Sequence, residues 1–531
     1  MARGIDVIEQ IKKCIIKHQN FILNGGAGSG KTKTLIDLLD VLYDENKNYK
    51  IACITFTNVA ADEIKERVLN KEIRLRASTI HDFLWDVIKN YQKNIKESII
   101  HLINTNSIKK PDDIEITKKT FEGKTINYRN RKLLGEGIIS HDELLKIANY
   151  LFDNYSLLRR IISDKFDFIL IDEYQDTEEQ VIKIFLKYLQ RESTHPIIGL
   201  FGDSMQSIYD KGIGSLQTYI DNNVVKNILK EDNWRSPISV VKLINQIRND
   251  SLKQKPVGKN KDIIGNITFI YSNKELSVEI IKKHAKFAEF DFNNHKENKQ
   301  LYLTHKLIAA LFGFANLLSK YKYKDNVIGD TPDPFIRHLL KIQETVYLYT
   351  TKQYNQFIKL TDFKIRKASD KKTLKNKIEK LCNSQDKVIA EIIEFSDRLN
   401  LIKKDDKIKK FISENNEQYE KMKSIKFSEI ISLYNYRNEY SPYSTQHGVK
   451  GAEYDNVFIM LDNGKWTKYN FKYMFENTTK KEKIVNRTRK LFYVCCSRVK
   501  KNLVVYYYNP SLTILDKAKE WFGDKNVIGI N

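Results

Sequence analysis

Two regimes of apolar spacing alternate along the chain. Short continuous apolar runs, Phe21-Ile22-Leu23, Ile51-Ala52-Cys53-Ile54, Phe166 to Ile171 and Pro196 to Phe201, read as strands buried on both faces. Between them apolar residues recur every three or four positions: over Ile5 to Ile16, at Leu35, Ile36, Leu38, Leu39 and Leu42, over Val59 to Val68, and in a helix opened by Ser78-Thr79-Ile80-His81-Asp82-Phe83. That spacing predicts amphipathic helices. A further helix is expected from Asp142 to Arg160. Strand and helix in alternation predict an α/β protein with parallel sheets. A second set of strands is expected at Asn266 to Tyr271, Leu301 to Thr304, Val457 to Leu461 and Leu503 to Tyr508.

Two stretches depart from this alternation. From about Trp85 to Ser140 the chain is charged and irregular and reads as a helical insertion, with a small hairpin over Phe121 to Gly137. From 315 to 435 the pattern is helical, with Ile336, Leu339, Leu340 and Val346 on one face and Leu374, Ile378 and Leu381 on another. The lysine runs Lys364 to Lys380 and Lys403 to Lys426 suit solvated helix faces; a DNA track is the alternative.

Chemistry concentrates at the strand ends. The first run leads into Gly25-Gly26-Ala27-Gly28-Ser29-Gly30-Lys31-Thr32-Lys33 and then a helix, the context a phosphate-binding loop requires. Glycines let successive backbone N–H groups turn toward one anion, and the helix dipole adds to them. Lys31 would reach the β- and γ-phosphates and the Thr32 hydroxyl would ligate Mg²⁺. The expected ligand is ATP. The strand from Phe166 ends in Asp172-Glu173-Tyr174-Gln175-Asp176. There Asp172 would order the Mg²⁺ shell and Glu173 polarise the attacking water, with period two placing the neighbours on opposite sides.

Gln206, at the end of the following strand, is placed to sense the γ-phosphate and pass its presence to whatever Tyr209 touches. Trp234 offers an indole for adenine and Arg235 a guanidinium for phosphate, while Gln10 could present its amide to the adenine edge. Phe56, at the end of the second strand, suits a stacking platform for a base or a place in the core.

Size and charge widen the picture. At 531 residues and 62.4 kDa the chain has room for roughly three or four domains. A net charge of +23 points to a polyanionic partner, or to a lysine-rich proteome. The five cysteines form no C-x-x-C pair, so neither a zinc site nor a disulfide framework is expected. No signal-peptide or membrane-length apolar run is evident, and a cytoplasmic location with no membrane partner is expected.

Taken in order, these segments resemble the motifs of the UvrD/Rep/PcrA-like superfamily 1 helicases. The likeness continues in Ser444-Thr445-Gln446-His447-Gly448-Val449-Lys450-Gly451-Ala452-Glu453 and in Leu491-Phe492-Tyr493-Val494-Cys495-Cys496-Ser497-Arg498. It covers roughly residues 1–90, 140–240 and 440–508.

The resemblance implies two RecA-like P-loop domains, each with an α-helical insertion, and ATP in the cleft between them. The first would take 1–84 and 139–236, with 85–138 inserted; the second 237–314 and 436–531, with a reduced accessory subdomain at 315–435. Lys31, Thr32, Asp172, Glu173 and Gln206 would hold and hydrolyse MgATP. Arg235 and Arg498 would be arginine fingers, Gln10 and Trp234 would grip adenine, and Glu453 would lie near the ribose. Thr57, Asn58, Thr79, His81, Thr445 and His447 would lie on the DNA side, with Phe56 and Tyr209 stacking on bases.

Implied too is stepping along single-stranded or tailed duplex DNA, 3′-to-5′. Two departures stand out. Lys211 and Gly212 occupy the place of a usual tryptophan and arginine, and Arg487 and Thr488 that of acidic residues before the sixth motif. They motivate a rival reading, a DNA-sensing subunit that switches a partner nuclease, similar to the helicase-like subunits of two-component anti-phage systems such as Gabija. A DNA-binding scaffold with a dead ATP site is the third.

Overall fold

The computed structural model describes residues 7–68, 73–111 and 115–530, which divide into two compact units: residues 1–265 with 489–497, and residues 266–488 with 498–531. Each is built on a six-stranded, fully parallel sheet.

In the first unit the strands are β1 (Phe21–Gly25), β2 (Lys50–Thr55), β3 (Arg74–Thr79), β4 (Phe168–Asp172), β5 (Ile197–Gly202) and β6 (Lys226–Lys230), in spatial order β3-β2-β4-β5-β1-β6. Period two divides them between two cores. Ile22, Ile54, Ile169, Ile171, Ile198 and Leu200 belong to one, and Phe21, Leu23, Ile51, Cys53, Leu170 and Phe201 to the other. The second core is closed by the helices Val7–Ile16 and Lys31–Glu45 through Ile11, Leu35, Leu38 and Leu42. The predicted first helix thus starts at Val7, its residues 5 and 6 lying outside the described residues.

The first core extends into Ile80–Ile88, Gln92–Asn104 and His141–Asn154 and takes in Phe121, Ile126 and Ile139. The hairpin expected over 121–137 is instead a short parallel pairing of Asn127–Tyr128 with Ile138–Ile139, helped by one antiparallel bridge between Leu133 and Ile138.

The helix expected from Asp142 to Arg160 is two helices, His141–Asn154 and Ser156–Lys165, parted at Tyr155. The Arg159 guanidinium explains the break, since its Nη1 donates to the carbonyls of Phe152 at 2.8 Å and Asp153 at 3.1 Å. Those are carbonyls of a last turn that would otherwise lack partners.

In the second unit β7 (Asn266–Ser272), β8 (Asn298–Tyr302), β9 (Tyr443–Thr445), β10 (Tyr454–Met460), β11 (Val499–Tyr508) and β12 (Val527–Gly529) lie in the order β9-β8-β10-β11-β7-β12. Between β8 and β9 the chain is helical and has a core of its own around Phe335, Ile336, Leu339, Leu374, Ile378 and Ile392. The lysines of this region lie mostly on solvated helix faces, several paired one turn away, as Lys375 with Glu379 and Lys421 with Glu417. Among the described residues no helix is long and apolar enough to cross a membrane.

Candidate nucleotide site

The loop after β1 is held through its own backbone carbonyls, which accept from donors on neighbouring segments. Gln254 Nε2 donates to Ala27 O at 3.0 Å, Asn233 Nδ2 to the same oxygen at 3.1 Å, and Trp234 N to Gly28 O at 2.9 Å. Gly28 has φ 74° and Gly30 φ 78°, conformations that other L residues reach only at a cost. A Cβ at Gly28 would also meet Arg235 Cβ at 2.8 Å. Gly30 caps the helix Lys31–Glu45, whose N-terminus therefore faces the loop. Ser29 Oγ is buried and has no hydrogen-bond partner among the described residues. The loop thus fits a phosphate chain: glycine-permitted turns, a helix N-terminus, and a hydroxyl awaiting an acceptor.

Lys31 is buried, with Nζ 3.0 Å from Gly25 O and 3.5 Å from Gly26 O, folded onto the loop it serves. Thr32 Oγ1 donates to Asp172 Oδ2 at 3.3 Å, so the two expected metal residues are together. Burial, followed by the negative charge of Glu173, raises the Asp172 pKa to about 7 against the pull of Lys31. Two carboxylates so close repel, and a proton or a bound cation relieves them.

The separation of Asp172 from Glu173 comes about differently from the period-two expectation. β4 ends at Asp172, and Glu173 turns the chain with φ 52°. Gln175 then holds it: Nε2 donates to the Glu173 carboxylate and Oε1 accepts from Asp203 N at 3.1 Å. Gln175 is completely buried, and a side chain at Gly202 would collide with it.

Beyond β5 lies a buried polar cluster. Asp203 meets Arg248 through Oδ1–Nη2 at 3.0 Å and Oδ2–Nη1 at 3.2 Å, and accepts from Gln206 Nε2 at 3.1 Å and Tyr493 OH at 2.9 Å. Burial pushes the Asp203 carboxyl up, but Arg248 and Lys31 outweigh it and hold its pKa at about 2. The Tyr493 hydroxyl also accepts from Arg248 Nη1 at 2.7 Å and from Ala27 N, in the phosphate loop, at 3.1 Å. Its one donor and two acceptor positions are all filled.

Trp234 is 56% exposed and flanks the loop beside Gly30. Arg235 Nη1 donates to Ser497 O at 3.0 Å. Gln10 lies half-buried in the helix Val7–Ile16, and Lys33 is exposed in the first turn of Lys31–Glu45.

At the same C-terminal edge of the sheet, beyond β2 and β5, Phe56 and Tyr209 stack on each other, centroids 5.9 Å apart and planes 12° from parallel, both exposed. The alternative of a core place for Phe56 therefore falls away. Thr57 Oγ1 accepts from Ala60 N at 3.2 Å, capping the helix that Asn58 begins, and both residues are exposed. Thr79 caps Ile80–Ile88, and His81 in its first turn packs against His141 at 4.5 Å between centroids. Burial and then His141 push the His81 pKa down to about 4.

Four expected site residues belong to the second unit. Thr445 ends β9 and accepts from Gly448 N at 3.0 Å, and His447 Nε2 lies 2.6 Å from Tyr469 OH. Glu453 is exposed, and Arg498 is buried with Nη1 3.5 Å from Ala452 O.

Of the departing residues, Gly212 has a physical reason. It bridges to Glu178, and a side chain there would collide with Gln175 O. Gln175, Asp203, Asn233, Arg248, Gln254 and Tyr493 carry the site's internal bonding without having been assigned a role from sequence. Tyr493 and Asp203 lie inside recognisable motifs, whereas Arg248 and Gln254 have no local signal.

An AAA domain family matches residues 9–211. The Gabija protein GajB of Bacillus cereus is 29% identical over 97% of this chain and 97% of its own length. The ATP-dependent DNA helicase Rep of Buchnera aphidicola is 24% identical over 58% of this chain, which spans 53% of that helicase. The ATP-dependent DNA helicase PcrA of Staphylococcus epidermidis is 26% identical over 45% of this chain and 39% of its own length. With its motifs in order, two parallel six-stranded sheets and these relatives, the chain is similar to the UvrD/Rep/PcrA-like superfamily 1 helicases.

Proposed function

We propose that the chain hydrolyses ATP to ADP and phosphate and couples each turnover to a step along single-stranded DNA, 3′-to-5′. The observation that carries this is the meeting of Lys31, Thr32, Asp172 and the Gln175-held Glu173 at the end of one sheet. The loop amides and Lys31 bind and neutralise the phosphate chain. Thr32 and Asp172 are the residues that would hold Mg²⁺, which supplies charge neutralisation between the phosphates; two protein ligands suffice where substrate and water fill the rest. Glu173 orients the attacking water and takes its proton, with Gln175 fixing the carboxylate. Gln206, Arg235 and Arg498 are assigned to the γ-phosphate, Gln10, Trp234 and Glu453 to the nucleoside. Phe56 and Tyr209 are assigned to base stacking, with Thr57, Asn58, Thr79, His81, Thr445 and His447 beside the strand.

The test is steady-state ATPase with and without long single-stranded DNA. Strong stimulation is expected, with Lys31→Ala and Glu173→Gln abolishing turnover while DNA affinity persists. Unchanged turnover in either variant refutes the site.

The near full-length match to a Gabija protein favours a second reading. In it the same ATP cycle reports DNA to a partner nuclease in anti-phage defence. Tailed-duplex unwinding separates the two: strand separation by the isolated chain supports the autonomous motor, and ATPase without it supports the sensor.

A further inference from the structure

A second polar cavity lies far along the chain from the nucleotide loop, in the helical region of the second unit. It has a volume of about 330 Å³ and is formed where the first turns of Pro334–Thr350 and Asp406–Glu414 come together. Four cations line it: Arg337, Lys341, Lys403 and Lys407. Among the described residues none of the four has an ion-pair partner, although Lys404, Lys409 and Lys410 beside them are paired with Glu394, Asp406 and Glu414.

The two carboxylates in the lining are committed to backbone amides. Asp362 Oδ2 accepts from Lys403 N at 2.7 Å, and Asp405 Oδ1 caps its helix by accepting from Ile408 N at 2.9 Å. The lining also includes His338, more than nine-tenths buried, whose Nε2 has no hydrogen-bond partner among the described residues.

Within the lining, four cations against two carboxylates leave a surplus of two positive charges, with the capping carboxylate of Asp333 acting on Arg337 from beside it. Like charges gathered around one cavity repel, and a buried imidazole nitrogen without a partner costs free energy. A dianion relieves both, and the dipoles of two helix N-termini act in the same sense. Of the eight lining residues one, Pro334, is apolar; the others are charged or histidine. The volume is at the small end of the ~300–1,000 Å³ typical of small-molecule sites.

We propose that this cavity binds a phosphomonoester dianion carried by a small metabolite of mononucleotide size or less. The assignment is independent of the nucleotide site at Lys31. Cations gathered round a single cavity suit one terminal phosphate better than the spaced phosphodiesters of a DNA strand, which the test must also address.

The experiment is calorimetric titration of the full-length protein with inorganic phosphate and with AMP, in the Lys31→Ala background to weaken the loop site. A saturable component is expected that weakens about tenfold or more in Lys341→Ala/Lys407→Ala, the change expected when charge-assisted bonds to an anion are lost. Lys375→Ala, on a neighbouring helix, should leave it unchanged. Thermal unfolding of the double variant checks that the fold persists, and Lys341→Arg should restore part of the binding. Absence of any component sensitive to Lys341 and Lys407 overturns the proposal. So does a double variant whose only loss is affinity for a DNA oligonucleotide, which would make this surface a strand contact.

Discussion

Two buried side chains set the behaviour of the carboxylate proposed to activate water and of its surroundings. Glu173 sits on a left-handed turn that few residues tolerate, and Gln175 holds its carboxylate there. Gln175→Ala should therefore lower kcat by ~10²-fold while leaving KM for ATP within a few-fold, because it loosens orientation and not binding. Steady-state kinetics decide; equal changes in both constants would assign Gln175 to binding. Arg248 is nearly inaccessible and paired to a buried Asp203. Arg248→Ala should cost ~3–5 kcal/mol of stability, measured by urea unfolding, since it strands a charge without its partner.

His81 provides a test in pH. Its folded pKa, about 4, lies below the ordinary histidine value of 6.5, so between those two values the unfolded chain binds more protons than the native one. Stability should fall as pH drops from 7 toward 5, and this slope should be shallower in His81→Asn. An identical slope in that variant would remove His81 as the source.

At the scale of elements, strand-to-loop junctions carry the chemistry and edge strands carry the surprises. The apolar runs behind β1, β2, β4 and β5 are visible in sequence because both faces of an interior strand are buried. The edge strands β3 and β6 are not, because Arg74, Arg76, Lys226 and Lys230 interrupt the apolar pattern where one side needs no cover. The phosphate loop and the paired carboxylates are legible for a related reason, since their residue types are fixed by chemistry at short spacing. The Asp203–Arg248–Tyr493 cluster is not, since its members come from distant segments that only the fold brings together. The aromatic pair beyond β2 and β5 is an element-scale device too. Phe56→Ala should expose one face of Tyr209 and weaken single-stranded DNA binding by ~1–3 kcal/mol, with basal ATPase unchanged. Equilibrium titration with a fluorescent oligonucleotide would show it, and wild-type affinity would remove the pair from the DNA path.

For the whole molecule the surplus of 23 positive charges sets the ionic response. DNA affinity should fall steeply and linearly in log–log form as salt rises, the slope counting the phosphates neutralised at ~0.7 per contact on a single strand. A flat profile would return the charge to proteome composition. The two parallel sheets were legible from the alternation of strand and helix, and so was the helical character of 315–435. The core that joins these helices to each other and to Tyr302 of β8 depends on packing and could not be read from spacing alone.

The hydroxyl of Tyr493 fills the amide of Ala27. That makes it an internal competitor: any phosphate oxygen that needs this amide must first displace a group the protein supplies itself. Affinity for the nucleotide and integrity of the polar cluster are therefore linked with opposite sign. Removing the hydroxyl should make the fold weaker and the grip on nucleotide tighter.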